Sequence, residues 1–190
     1  MKNILKILTA LIIIISVSLA SCKKSDDALP SEKPTQAFLK DSTVTFSKGN
    51  LGNYELGFKF YSSKAGSINQ LGLYVPEAGV YAVSIWDFDS KALLAQKVIT
   101  VSTSSTYQYE NITPLLIVAN KKYVLSYNTN SKLYFRNMSK TNTALYPFTK
   151  GNITIEGNYY SPSTTSIFPL TLNNLSYFFG FPDFNFQPTK

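Results

Sequence analysis

The sequence predicts an all-β protein built from many short strands, as in a β-sandwich or a barrel. From Thr43 onward, apolar and polar residues alternate with a period of two, which is typical of strands with one buried face. Turn-forming residues separate these segments, and no long helical pattern appears. The chain also contains 13 Tyr and 13 Phe, residues that suit strands and large cores. Short strands with regular turns between them are typical of both architectures.

The clearest predicted strand covers residues 55–61, with Leu56 and Phe58 on its apolar face. The same alternation predicts strands over residues 81–85, 93–101, 108–112, 123–127, 133–136, 152–156 and 177–181. The apolar residues change face near residues 69–70, which predicts a β-bulge there. Turns are predicted at residues 63–66, 76–79, 87–91 and 128–132.

The N-terminal segment predicts export. Lys2 and Lys6 precede an apolar stretch over residues 7–20, which is the layout of a secretory signal peptide. As a helix this stretch would be about 21 Å long, too short for a hydrocarbon core of about 30 Å. Cys22, the only cysteine, follows directly.

The stretch Leu19-Ala20-Ser21-Cys22 resembles the lipobox of bacterial lipoproteins, in which the leader is cut before the cysteine and the cysteine is acylated, for example with palmitate. The resemblance implies that residues 1–21 are removed, that Cys22 is the lipidation site and that the membrane is a partner. The alternative is an ordinary leader with a chance cysteine, which would leave an oxidisable thiol in an oxidising compartment.

Residues 22–42 are predicted to form a flexible tether, because they are rich in Lys, Asp, Ser and Pro and lack periodicity. The start of this segment, residues 23–27, resembles the charged signal that sends some lipoproteins to the outer face of the outer membrane. A plain spacer with retention in the periplasm is the alternative. The β-domain then covers residues 43–190.

Charge and composition restrict the possible functions. The chain has 18 basic and 11 acidic residues, and loss of the leader reduces the net charge from +7 to about +5. These charges are dispersed, so nucleic acid is not an expected partner. Histidine is absent, and lipidation would occupy the one cysteine, so no metal, cofactor or nucleophilic catalytic centre is predicted. Paired carboxylates, as in glycosidases, are the remaining catalytic chemistry. The available acids are Glu55, Glu77, Asp87, Asp89, Glu110, Glu156 and Asp183.

Four blocks of the chain are similar to a family of exported bacterial proteins, the domain of unknown function 4082. They cover residues 55–60, 66–74, 84–95 and 119–127, and a fainter fifth block covers residues 168–177. The resemblance implies a jelly-roll-like β-sandwich with a binding or adhesion role. It implies no catalytic residue.

Trp86, the only tryptophan, and its neighbour Asp87 are the first candidate site. The indole ring is suited to stacking on a sugar, and the carboxylate is suited to accepting hydroxyl hydrogen bonds. The alternative is burial in a strand that is covered on both faces. Asp87 and Asp89 also have the alternating spacing of a calcium loop, but the glycine and the later acid are missing, which favours a simple turn.

Tyr134 and Arg136 are the second candidate site, with help from Asn130. They alternate with Leu133 and Phe135, so strand geometry places the aromatic ring and the guanidinium on one exposed face. The alternative is an ordinary solvated strand face.

Tyr159 and Tyr160, in a predicted loop, either contact a ligand or close one end of the sandwich. Together these features predict a non-catalytic surface lipoprotein that binds glycan or mediates adhesion. A structural protein that binds other proteins of the cell envelope is the first alternative, and a carboxylate-based glycosidase is the second.

Overall fold

The computed structural model describes residues 29–40, 44–49, 52–139, 144–173 and 176–190. The predicted leader, Cys22 and the first part of the tether lie outside the described residues. The elements are α1 (Pro34–Phe38), β1 (Val44–Lys48), β2 (Tyr54–Ser62), β3 (Gly66–Leu73), β4 (Gly79–Asp87), β5 (Leu93–Val101), β6 (Gln108–Ile117), β7 (Lys122–Asn128), β8 (Phe135–Ser139), β9 (Phe148–Lys150), β10 (Ile153–Pro162), β11 (Thr171–Leu172), β12 (Tyr177–Phe179) and β13 (Pro182–Pro188). Within the described residues, no helix is long and apolar enough to cross a membrane.

The first layer is a seven-stranded antiparallel sheet in the order β11-β10-β2-β7-β4-β5, with β9 also paired to β10. Its inner face carries the apolar side chains that the alternation predicts, and Phe58, Leu125 and Val83 are fully buried there. Neighbours such as β10, β2 and β7 are distant in sequence, which is the connectivity expected of a jelly-roll-like sandwich rather than of a meander.

The second layer consists of two three-stranded antiparallel sheets, β13-β3-β6 and β1-β8-β12. Phe178 of β12 packs against Phe58, with ring centroids 5.7 Å apart. Phe184 of β13 packs against Phe60 at 4.8 Å. Both sheets therefore cover the inner face of the seven-stranded sheet, and the predicted antiparallel β-sandwich is confirmed.

Two irregularities in strand pairing bear on the sequence predictions. The predicted bulge is confirmed, because the pairing of β3 with β6 shifts register between Ile68 and Gln70. The predicted loop around Tyr159 and Tyr160 is wrong, because both residues lie in β10. A β-bulge at Glu156 accommodates one extra residue in β10, and the pairing with β2 resumes at Gly157 and continues to Pro162.

The segment before β1 differs from the tether prediction. The backbone of Glu32 pairs with that of Phe186, with hydrogen bonds of 2.8 and 2.9 Å. Phe38, at the end of α1, is only 4% exposed, and its ring stacks on Phe148 with centroids 4.4 Å apart. Residues 29–40 are therefore packed on the β-domain, which begins before residue 43.

A buried carboxylate explains this packing. The N–H groups of Thr35 and Gln36 donate to Asp183, at 3.1 and 3.0 Å, and the Tyr109 hydroxyl donates to the same carboxylate at 2.8 Å. Burial raises the pKa of Asp183 to about 6, although these hydrogen bonds lower it. Asp183 thus fixes the start of α1 against β13.

Candidate functional site

An aromatic cleft opens between the seven-stranded sheet and the β1-β8-β12 sheet, with a volume of about 190 Å³. It is lined by Tyr54, Leu56, Tyr134, Tyr160, Asn173 and Phe179. Four of these six residues are aromatic, and all four are partly exposed. We call this set of residues the aromatic cleft.

One wall of the aromatic cleft belongs to the seven-stranded sheet. Tyr160 lies directly opposite Leu56 in the pairing of β10 with β2, so the two side chains share a face. Tyr54 precedes Leu56 by two residues and faces the same way. These three residues therefore lie on the inner face of the sheet, at the end where this face becomes exposed to solvent.

The other wall is formed by Tyr134 and Phe179, whose ring centroids are 5.8 Å apart in an edge-on contact. Tyr134 also meets Tyr54 edge-on at 6.2 Å, which joins the two walls. Phe135 is 8% exposed and Asn137 is fully buried, so the alternate residues face outward. The sequence prediction that Tyr134 lies opposite to Phe135 is therefore confirmed, although the Tyr134 ring is half-buried rather than fully exposed.

Arg136 lies at the rim of the aromatic cleft. It is directly opposite Phe179 in the pairing of β8 with β12, and opposite Ser47 in the pairing with β1. Its Nε donates to Ser47 Oγ at 2.9 Å, and the residue is exposed. Burial raises the pKa of the Tyr134 hydroxyl, and the charge of nearby Arg136 partly opposes this rise. The structure thus brings Tyr134 and Arg136 together.

Asn130 does not belong to this group. It lies in the turn after β7 with a positive φ of 51°, and its Nδ2 donates to the Val80 carbonyl at 3.3 Å. It lines a separate shallow groove with Val98 and Thr165. The expectation that Asn130 assists Tyr134 is wrong, because the turn directs its side chain toward β4.

Trp86 lies on the outer face of the seven-stranded sheet, opposite to Val83 and Ile85, as the alternation predicts. It is nevertheless only 7% exposed, because Phe168 from a later loop meets its ring edge-on at 6.2 Å. Its Nε1 donates to Ser126 Oγ at 2.8 Å. Trp86 is therefore a buried packing residue and not an open stacking platform.

Asp87 has a structural role in the turn after β4. Its Oδ1 accepts the N–H groups of Asp89 and Ser90 at 3.0 and 2.9 Å, and its Oδ2 lies 2.6 Å from Lys121 Nζ. The bond to Lys121 is the main reason why the pKa of Asp87 falls to about 2. The predicted simple turn is confirmed.

Within the described residues, no group of three or more His, Cys, Asp or Glu side chains is arranged to hold a metal ion.

Sequence reasoning did not single out Glu55, which is fully buried beneath the loop that carries Phe168. Ser126 Oγ donates to its Oε1 at 2.6 Å, and Asn128 Nδ2 lies 3.3 Å from its Oε2. Burial raises the pKa of Glu55 to about 7 against the effect of these donors. Asn128 also donates to the carbonyls of Ser163 and Thr165 and so fixes the loop over the carboxyl group.

The fold and the cleft define an antiparallel β-sandwich domain with an aromatic surface site. The model of one family, described as Domain of unknown function (DUF4082), matches residues 40–179, and the chain belongs to this family. The match covers most of the β-domain and includes Tyr54, Tyr134, Tyr160 and Phe179. No curated protein matches the chain.

Proposed function

We propose that this protein is a non-catalytic, membrane-anchored lipoprotein whose β-sandwich binds extracellular glycan in the aromatic cleft. The observation that carries the proposal is the convergence of Tyr54, Tyr134, Tyr160 and Phe179 on one solvent-open cleft. A sugar ring has apolar C–H faces that stack on aromatic rings and hydroxyl edges that need polar partners.

Polar groups for the hydroxyl edges are present beside the rings. Asn173 lines the cleft and contributes a side-chain amide, which carries both donors and an acceptor. The hydroxyls of Tyr134 and Tyr160 supply further donors and acceptors.

The anchoring part of the proposal is supported by the sequence around Cys22. The apolar segment 7–20 and the stretch Leu19-Ala20-Ser21-Cys22 resemble the lipoprotein leader and lipobox. Because a single acyl chain binds a membrane weakly, stable anchoring implies several chains on Cys22. We place the β-domain on the outer face of the outer membrane, with the periplasmic face as the alternative.

Retention on immobilised polysaccharides tests the glycan site. We expect Tyr160→Ala and Tyr134→Ala to reduce retention by about tenfold, because this factor corresponds to about 1.4 kcal/mol, which is close to the value of burying one large apolar side chain. Tyr61→Ala is the matched control, since Tyr61 is a partly exposed tyrosine on the outer face of the same sheet. Equal retention of all three folded variants would exclude the aromatic cleft as the glycan site.

Detergent-phase partitioning tests the anchor. We expect the wild-type protein to enter the detergent phase and Cys22→Ala to stay in the aqueous phase. The proposal fails here if the two proteins partition alike. Proteolysis of intact cells then separates the two orientations, because only a surface-exposed domain is accessible to added protease.

A second candidate function is assembly with other proteins of the envelope. Strand β5 ends the hydrogen-bonded order of its sheet, and its residues Leu93, Leu94 and Val98 are 48%, 39% and 56% exposed. Strand β6 lies alongside this edge but is not paired with it in a sheet, and an unpaired edge with exposed apolar side chains is suited to contact with another chain. Replacement of Val98 by Lys should abolish such an association, as measured by cross-linking in cells, and should leave glycan retention unchanged.

A further inference from the structure

Arg136 is the only arginine in the chain, and it stands at the rim of the aromatic cleft. Its place opposite Phe179 puts these two side chains on one face of the β1-β8-β12 sheet, and the ring of Tyr134, which directly precedes β8, contacts Phe179 with centroids 5.8 Å apart. Two residues along a strand span about 7 Å, which is within reach of a substituent on a sugar ring stacked on Tyr134.

Among the described residues, the guanidinium of Arg136 is oriented by a hydrogen bond and makes no ion pair. Its Nε donates to Ser47 Oγ, and neither Nη atom has a hydrogen-bond partner among these residues, so both can donate to a ligand. Among the described residues, the ion pairs within 4.0 Å are Lys59–Glu156, Lys121–Asp87 and Lys122–Glu156, and none of them includes Arg136. An exposed and oriented cation beside an aromatic cleft is suited to an anionic partner.

We propose that the ligand of the aromatic cleft is an acidic glycan, and that Arg136 binds the carboxylate of a uronic acid residue while Tyr134 or Phe179 contacts its ring. This inference rests on the proposed glycan-binding function. The planar guanidinium matches a carboxylate with two parallel hydrogen bonds, a geometry that a lysine ammonium does not provide. The net charge of about +5 that remains after loss of the leader favours the approach of such a polymer.

The test compares polygalacturonate with the same polymer after methyl esterification, which removes the charge and keeps the sugar rings. We expect the wild-type protein to bind the acid form about tenfold more tightly than the ester, as measured by affinity electrophoresis or calorimetry. In Arg136→Gln the two affinities become equal, and Arg136→Lys regains only part of the preference. Lys64→Gln is the control, since it also removes one exposed positive charge, but from the turn between β2 and β3.

The melting temperature of Arg136→Gln should stay within about 2 °C of the wild-type value, because the side chain is exposed and makes one hydrogen bond to the described residues. Equal binding of acid and ester by the wild-type protein overturns the inference and leaves the glycan-binding function standing. Binding of neither polymer, nor of any neutral polysaccharide, overturns both. A preference for the acid form that survives in Arg136→Gln assigns the effect to lysines and also overturns the inference. Tighter, Arg136-dependent binding of a sulfated galactan would overturn the assignment to a carboxylate.

Discussion

The side-chain amide of Asn158 hydrogen-bonds to both backbone groups of Phe179. The Phe179 N–H donates to Asn158 Oδ1 at 2.7 Å, and Asn158 Nδ2 donates to the Phe179 carbonyl at 3.2 Å. The same Nδ2 donates to the carbonyl of Gly57. Because Asn158 lies in β10 and Phe179 in β12, this amide connects the two layers of the sandwich beside the aromatic cleft.

Asn158→Ala should destabilise the protein by about 2–3 kcal/mol, because it leaves buried backbone groups of Phe179 without partners. Urea denaturation of the protein without residues 1–21 measures the free energy of unfolding. Asn111→Ala is the control, since Asn111 is exposed and its side chain bonds to Gln70 alone among the described residues. If both variants lose the same small amount of stability, the connection through Asn158 does not hold the layers together.

Glu55 should make the stability of the protein depend on pH. Its pKa rises from the ordinary value of 4.5 to about 7 in the folded protein, so the folded chain retains this proton over a range where the unfolded chain has lost it. The stabilisation from this group is complete below pH 4.5 and is lost as the pH rises through about 7. The change corresponds to roughly 3 kcal/mol. Thermal unfolding from pH 4 to pH 8 measures it.

Glu55→Gln is the matched variant for this prediction, because the amide keeps the shape of the side chain and removes its titration. The slope of stability against pH should become shallower in Glu55→Gln, with a remaining contribution from Asp183, whose pKa is also raised. Parallel pH profiles for the wild-type and variant proteins would show that Glu55 does not titrate in this range.

The fold could be predicted from the sequence, because alternate residues of a strand lie on its two opposite faces. Phe58 and Val83 are buried as this alternation predicts, and the bulge near Gln70 appears as a change of face. The packing of residues 29–40 was not accessible, because the acceptor Asp183 lies 148 residues from Thr35. A short segment without periodicity does not indicate such a distant partner.

The candidate site was only partly predictable for a similar reason. Tyr134 directly precedes β8 and Arg136 lies in it, two residues later, so the alternation in the sequence predicts their common face. Tyr54 and Tyr160 join Tyr134 only through the order of strands in the sheets, which the alternation does not specify. The sequence allows both an exposed and a buried Trp86, because the loop that covers this residue comes from a distant part of the chain.

Phe38→Ala should destabilise the protein by about 3 kcal/mol, because it removes a buried ring that stacks on both Phe148 and Phe178. Leu170→Ala, at a position that is 61% exposed, should change the free energy of unfolding by less than about 0.5 kcal/mol. Chemical denaturation of the two variants measures both changes in the free energy of unfolding. A loss below about 1 kcal/mol for Phe38→Ala would mean that residues 29–40 are a tether after all.

Trp86, as the only tryptophan, allows its environment to be measured directly. We expect the fluorescence emission of the folded protein to be protected from acrylamide and to move to longer wavelength on unfolding, because the indole is buried beneath Phe168. A polysaccharide bound in the aromatic cleft should leave both the emission and the quenching unchanged, since Trp86 lies on the opposite face of the sheet. If Trp86 is protected from acrylamide only when polysaccharide is present, the result would show that Trp86 belongs to the binding site.

Gly49 offers a way to move the Tyr134 ring without altering any polar group. A Cβ at Gly49 would overlap the Tyr134 ring, and this half-buried ring has room to shift toward solvent. Gly49→Ala should therefore lower retention on polysaccharide severalfold, with a loss of stability below about 1 kcal/mol. Gly157→Ala is the matched control, because its Cβ would approach the exposed Leu172 on the outer face of the sheet, 2.8 Å from Cδ1, and would lie at an ordinary contact distance of 3.8 Å from Tyr159 Cε2. Since both changes add one methyl group, unequal retention at similar stability would assign the effect to the position of the Tyr134 ring, whereas equal retention would exclude this ring from ligand contact.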